Sequence, residues 1–141
     1  MHDPEINKAL AMLVVRIVAG ILFFAQAYDR LFNVRIEGVM NAFGDVLSRR
    51  GISRSFQRTM IILSSYTELA GGLLLMLGFF KFIALYILGA NLLLAAIAFS
   101  IIKPMWDMQY YFPRLVFVIV LLLLPEHWDV FTIDYLLKIG I

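Results

Sequence analysis

Apolar residues run almost unbroken through four stretches of the chain, about 9–28, 59–79, 82–102 and 110–124, with polar connections between them. A spanning helix needs about 20 mostly apolar residues to cross a hydrocarbon core of about 30 Å, a length the first three stretches meet. The fourth is the shortest. Pro113 suits its first turn, where a missing N–H is harmless, and Pro125 stops or kinks it. Phe79-Phe80-Lys81 is so short a connection that the second and third spans must be antiparallel neighbours. Glu126-His127-Trp128-Asp129 then reads as an interfacial belt. Ile133, Leu136 and Leu137 have the spacing of a short surface helix over 132–139.

The long first loop has a pattern of its own. Ile36, Val39, Met40, Phe43 and Leu47 recur at helical spacing, while Glu37, Asn41, Asp45, Arg49 and Arg50 fall largely elsewhere. This predicts an amphipathic helix lying on the membrane or folding over the mouth of a bundle, broken by Gly51-Ile52-Ser53. The alternative is a solvated loop with incidental apolar residues.

Composition supports the membrane reading. Of 141 residues, 62% are hydrophobic, and the mean hydropathy is +0.89, more than a soluble core could bury. The fold class expected is therefore all-α: one integral membrane domain over 1–141, a four-transmembrane-helix bundle with an amphipathic interfacial helix in its first loop. No cysteine is present, which excludes thiol–disulfide chemistry and thiolate metal sites built by this chain alone. The histidines, His2 and His127, are too few and too peripheral to hold a haem between two spans. No metal site and no nucleic-acid partner are expected.

Charge sets the orientation. Arg30, Arg35, Arg49, Arg50, Arg54 and Arg58 crowd the first loop against three acids, and Lys103 with Arg114 marks the third. Lys8, Lys81 and Lys138 are the only cations on the other side. The positive-inside bias puts loops one and three in the cytoplasm and both termini outside. The start, MHDPEINK, lacks the basic segment of a secretory signal, and the first span is expected to be retained.

Candidate chemistry lies in the charges inside the spans. At the centre of a bilayer such a residue is unfavourable by roughly 2.5–3.5 kcal/mol, so it survives where it faces a partner, a cavity or a ligand. Arg16, Glu68 and Arg114 are the three. On a 3.6-residue helix Arg16, Gly20, Phe23, Ala27 and Arg30 share one face, and Ser64, Glu68, Gly72 and Leu75 share another. Gly20, Gly71, Gly72 and Gly78 are read as helix-packing positions, since small residues let membrane helices approach closely. Counted from the same side, Arg16 and Glu68 differ in depth by roughly 6 Å, within reach of two long side chains. An Arg16–Glu68 pair is expected, fixing helix register or holding a ligand, with Arg16 snorkelling to its interface as the alternative. Asn91 and Gln26 are candidates for a ligand or for an interhelical hydrogen bond. Arg30, Trp106, Asp107, Tyr110, Tyr111 and Arg114 fall together at the loop side, as a polar, aromatic-lined mouth or simply as the interfacial belt.

Arg16, Gly20, Phe23 and Arg30-Leu31, with the run Glu68-Leu69-Ala70-Gly71-Gly72-Leu73-Leu74-Leu75-Met76-Leu77-Gly78, resemble the DoxX-like family of small four-helix membrane proteins. One departure is that the basic residue closing the first span is usually lysine in that family, where Asp29-Arg30 stands here. The resemblance implies a multi-pass protein of the cytoplasmic (inner) membrane, in a family named after a subunit of a thiosulfate:quinone oxidoreductase. Many members work beside a soluble partner.

Three functions follow from these residues. One is a membrane subunit of a quinone-linked system, in which Arg16, Glu68 and Arg114 hold the headgroup of a lipophilic ligand, quinone being the candidate cofactor, with electrons supplied by another protein. The second is a structural or assembly subunit of a larger membrane complex, without ligand or turnover. The third, less favoured, is a proton-coupled transporter with Glu68 as the carrier acid.

Overall fold

Asp3 adopts extended backbone and accepts the N–H of Glu5, with Pro4 at the first helical position, an arrangement that starts a helix well. The computed structural model describes residues 3–102 and 111–140, and its first helix, α1, covers Pro4–Tyr28. The helix runs on into a π-helical turn, Asp29–Asn33, closed by the Val34 N–H on the Asp29 carbonyl at 2.9 Å. Arg35, left-handed at φ 61°, then redirects the chain.

The first loop is a helix, α2, Arg35–Arg49. Met40 and Gly44 are buried, Ile36, Val39, Phe43 and Leu47 half-buried, and Glu37, Asn41, Asp45, Arg49 and Arg50 exposed. The apolar face packs on the next long helix, so α2 folds over the end of the bundle.

Ser53 caps that helix, α3, Arg54–Leu77. Gly78 at φ 66° and Phe80 at φ 48° turn the chain straight into α4, Lys81–Ile102, antiparallel to α3 as the short connection requires. α5, Tyr111–Leu123, has 13 residues and is about 20 Å long. α1 packs on α3 and α5, and α4 packs on both, closing four helices around Met12, Phe23, Leu75, Leu85, Leu88 and Leu121. The described residues contain no strand.

Pro4–Asn33, Arg54–Leu77 and Lys81–Ile102 are long and apolar enough to cross a membrane. Leu93, Ile97 and Leu123 stand more than half exposed on the outside of the bundle, an apolar surface suited to lipid. Past Pro125, a 3₁₀ turn at Glu126–Trp128 leads to the short helix α6, Ile133–Lys138, capped by Thr132. Leu136 and Leu137 on α6 are exposed, as the spacing of a surface helix predicts.

Candidate functional site

α1 and α3 cross where neither carries a side chain. A Cβ on Gly72 would fall 2.7 Å from the Phe24 nitrogen and 2.8 Å from the Gly20 carbonyl oxygen. Backbones meet at this point, and Gly71 beside it gives the same room to Leu88 of α4. These are the small-residue contacts by which membrane helices associate. Gly78 differs from the packing role expected of it: it is the left-handed cap of α3, against Arg16 and Thr132.

The crossing keeps Arg16 and Glu68 apart, so the expected pair does not form. Arg16 lies four residues from Gly20 toward the N-terminus of α1, and Glu68 four residues from Gly72 toward the N-terminus of α3. In antiparallel helices these are opposite directions, and the two charges sit about 12 Å apart along the axis. The depth count failed because the helix ends are not level. Arg16 already faces the last turn of α3, while α1 projects well beyond it and is covered there by the C-terminal segment, Lys8 standing 5.5 Å over the Trp128 ring.

Arg16 is instead the centre of one of two buried charge clusters. It is 1% exposed and donates from Nη1 to the carbonyls of Leu75 and Met76 at 2.9 and 2.8 Å. At the C-terminus of a helix such oxygens lack intrahelical partners, and the helix dipole favours a cation. Nη2 donates to the Phe131 carbonyl at 2.5 Å, and Nε lies 3.3 Å from Asp129 Oδ1. Lys81 Nζ approaches the other Asp129 oxygen at 2.9 Å. The Asp134 N–H on the Gly78 carbonyl completes the strap. Sequence reasoning placed Asp129 in the interfacial belt and Lys81 in a loop; both are buried. The available signal was an acid following the last span, opposite unpaired cations.

The second cluster lies at the α2 end. Glu68 is 2% exposed, and its Oε2 accepts from Arg30 Nη2 with Arg114 Nη1 at 3.7 Å. Arg30 reaches it from the π-helical turn, the kind of helix irregularity that recurs at functional sites. Arg114, from the first turn of α5, stands 5.7 Å over the Phe23 ring. The structure thus turns Arg114 toward Glu68, and adds Arg30, which the sequence placed on the Arg16 face of the first span and at the mouth but did not pair with Glu68. Ser65, a turn before Glu68, has a buried hydroxyl without a hydrogen-bond partner among the described residues.

Asn91 joins α4 to α3, donating to the Ser64 carbonyl at 2.9 Å and to Thr67 Oγ1 at 2.7 Å, which is the interhelical alternative. Gln26 is half-buried on α1. Gln57, which the sequence did not single out, is buried and ties the α2–α3 connection through Ser48 Oγ and the Ile52 carbonyl. Of the proposed mouth, Arg30, Tyr111 and Arg114 belong to this end of the bundle, and Trp106, Asp107 and Tyr110 lie outside the described residues, as does Lys103 of the orientation count.

A carboxylate between two guanidinium groups, in an apolar shell, is oriented and can exchange a proton with a neighbour, while Arg30 Nε, buried without a hydrogen-bond partner among the described residues, suits an oxygen acceptor. The Arg16 cluster has its charges and most of its donors taken up by the protein itself.

A family model described as DoxX matches residues 11–101. That stretch contains the Gly20–Gly72 crossing, Arg16, Arg30, Glu68 and Asn91, and leaves Arg114 and Asp129 beyond it. No curated protein and no solved structure matches the chain.

Proposed function

The chain belongs to the DoxX family of membrane proteins, and from that premise we propose that it is a multi-pass subunit of a quinone-linked oxidoreductase system in the cytoplasmic membrane. In this reading the bundle crosses the bilayer four times with both termini outside. The observation that carries the proposal is the convergence of Arg30 and Arg114 on the buried carboxylate of Glu68, beside Phe23 and the exposed apolar flank of α1. A quinone-type ligand would lay its tail along that flank. Its carbonyl oxygen would accept from Arg30 Nε, buried without a hydrogen-bond partner among the described residues, and Glu68 would pass a proton when the ligand changes redox state. Electrons come from a partner protein, because a chain without cysteine builds no thiolate-bound redox centre.

Purification from the source membrane in mild detergent, followed by mass spectrometry of everything retained, tests this. Co-purified quinone with a redox-active soluble protein is expected. A stable set of non-redox membrane partners and no small molecule would overturn it.

One observation favours a second reading, a structural subunit. Arg16 spends its donors on backbone carbonyls and Asp129, and Asn91 on α3, contacts that fix a packing arrangement and leave little for a ligand. Exposed Arg35, Arg49 and Arg50 at the α2 end would then dock a partner or anionic lipid.

A further inference from the structure

Glu68 is 2% exposed and Ser65 0%, so a carboxylate that passes protons is shut off from water in this conformation. A cover has to move before it can exchange one. On α3, Arg58 and Ser65 are seven residues apart and share a face, with Ser65 about 10 Å deeper in the span and Glu68 a turn beyond it. Arg58 pairs with Glu37 of α2 at 2.5 Å. Helix α2 is therefore a roof between the water at this end of the bundle and the two buried residues.

The roof is lightly held. Of its 15 residues only Met40 and Gly44 are buried. Its ion pairs with α3, Glu37–Arg58 and Asp45–Arg54 at 3.2 Å, are exposed, and exposed pairs contribute little. It is also jointed at both ends. Arg35, its first residue, is left-handed at φ 61°, and Gly51, just past its C-cap, at φ 85°. Glycine adopts that conformation freely. For an arginine it is unfavourable, and such strain persists only while the surroundings impose it. The firm attachment is at the Gly51 end, where buried Gln57 donates to Ser48 Oγ at 3.1 Å and to the Ile52 carbonyl at 2.8 Å. At the Arg35 end the exposed Glu37–Arg58 pair takes that place, and the chain leads back through the π-helical turn to Arg30. We propose that α2 is a hinged lid that turns on its Gly51 end and lifts at its Arg35 end, drawing Arg30 off Glu68 and admitting water to the carboxylate. The two ion pairs are its latches, and the Arg35 backbone favours opening. The role of the lid, to gate proton exchange, rests on the reading of Glu68 as the proton-passing group.

The chain has no cysteine, so Ser65→Cys places a single thiol under the lid. Its alkylation by iodoacetamide, a small neutral water-soluble reagent, is followed by mass spectrometry of the full chain in mild detergent, with no quinone present. When opening and closing are fast, the rate follows the open population. Removing both latches, Glu37→Gln with Asp45→Asn, should speed labelling about fivefold, the worth of two exposed pairs. Raising sodium chloride from about 0.05 to about 0.5 M should speed the latched chain and leave the unlatched one unchanged. Arg35→Asn, better suited to the left-handed region, should slow labelling about threefold. Val118→Cys, in the core and 3% exposed, should stay unlabelled. Equal rates with and without the latches, faster labelling in Arg35→Asn, no labelling of any variant, or labelling of Val118→Cys alongside Ser65→Cys, which is general unfolding, would each overturn the proposal. A chain that labels as expected yet retains no quinone from its membrane keeps the lid and loses the quinone reading.

Discussion

Gly20 and Gly72 lie backbone against backbone at the crossing of α1 and α3, with no space for a methyl group on either. On one side of this contact Arg16 binds the end of α3, and on the other Arg30 reaches Glu68. Gly72→Ala would press a Cβ on backbone atoms that cannot turn away, and should destabilise the bundle by about 1–3 kcal/mol. Gly71→Ala meets only the side chain of Leu88, which can rotate, and should be the milder change. Chemical unfolding in detergent micelles compares the two.

The separation of the two clusters is measurable as additivity. A double-mutant cycle of Arg30→Met with Glu68→Gln should give a coupling of about 1–3 kcal/mol, whereas Arg16→Met with Glu68→Gln should add to within about 0.5 kcal/mol. Strong coupling in the second cycle would restore the pair read from the sequence.

Asp129 holds Arg16 and Lys81 together. Asp129→Asn keeps the shape and leaves both cations without their counter-ion, a loss of about 3–5 kcal/mol where a buried pair is broken from one side. The C-terminal segment should come loose, so limited proteolysis should cut beyond Pro125 faster in the variant, with α1–α4 still protected.

Glu126 and Lys138 form an exposed pair outside the spans. The hydrogen bond from Lys138 holds the Glu126 carboxyl below its ordinary range, and the same bond raises the Lys138 ammonium. A lowered carboxyl contributes stability at neutral pH and loses it as the pH falls through the folded-state value. Thermal unfolding of the native chain and Glu126→Gln should therefore differ at neutral pH and converge by about pH 2. A constant difference would show that the pair does not titrate with folding. The effect should be small, as for exposed pairs generally.

The α2 helix was legible because Ile36, Val39, Met40, Phe43 and Leu47 repeat at the period of the structure they form. Glu68 and Arg114 were legible because a charge inside an apolar run has to be satisfied by something. The partner of Arg16 was not. Finding Asp129 requires knowing that α1 projects past α3 and that the chain folds back over the projection, both long-range facts with no local pattern. Arg30 escaped for a related reason. It stands at the end of a span, where a basic residue is ordinarily interfacial, and only the π-helical turn sends it inward. Lys81 was counted as a loop cation because Phe79-Phe80-Lys81 was read as the connection and the third span was taken to begin at Phe82.

The bond from Arg16 to the Phe131 carbonyl spans 115 residues of sequence. If the helices enter the membrane in order of synthesis, Arg16 arrives before any of its partners exist. At about 5–20 residues per second, the wait for Phe131 is on the order of ten seconds. Leu75 and Met76 come first, the counter-ion Asp129 much later, and Phe131 last. Until then the buried end of α1 carries an unneutralised charge, so the insertion machinery has to shelter it, and the cluster closes only once the segment with Asp129 and Phe131 has been made.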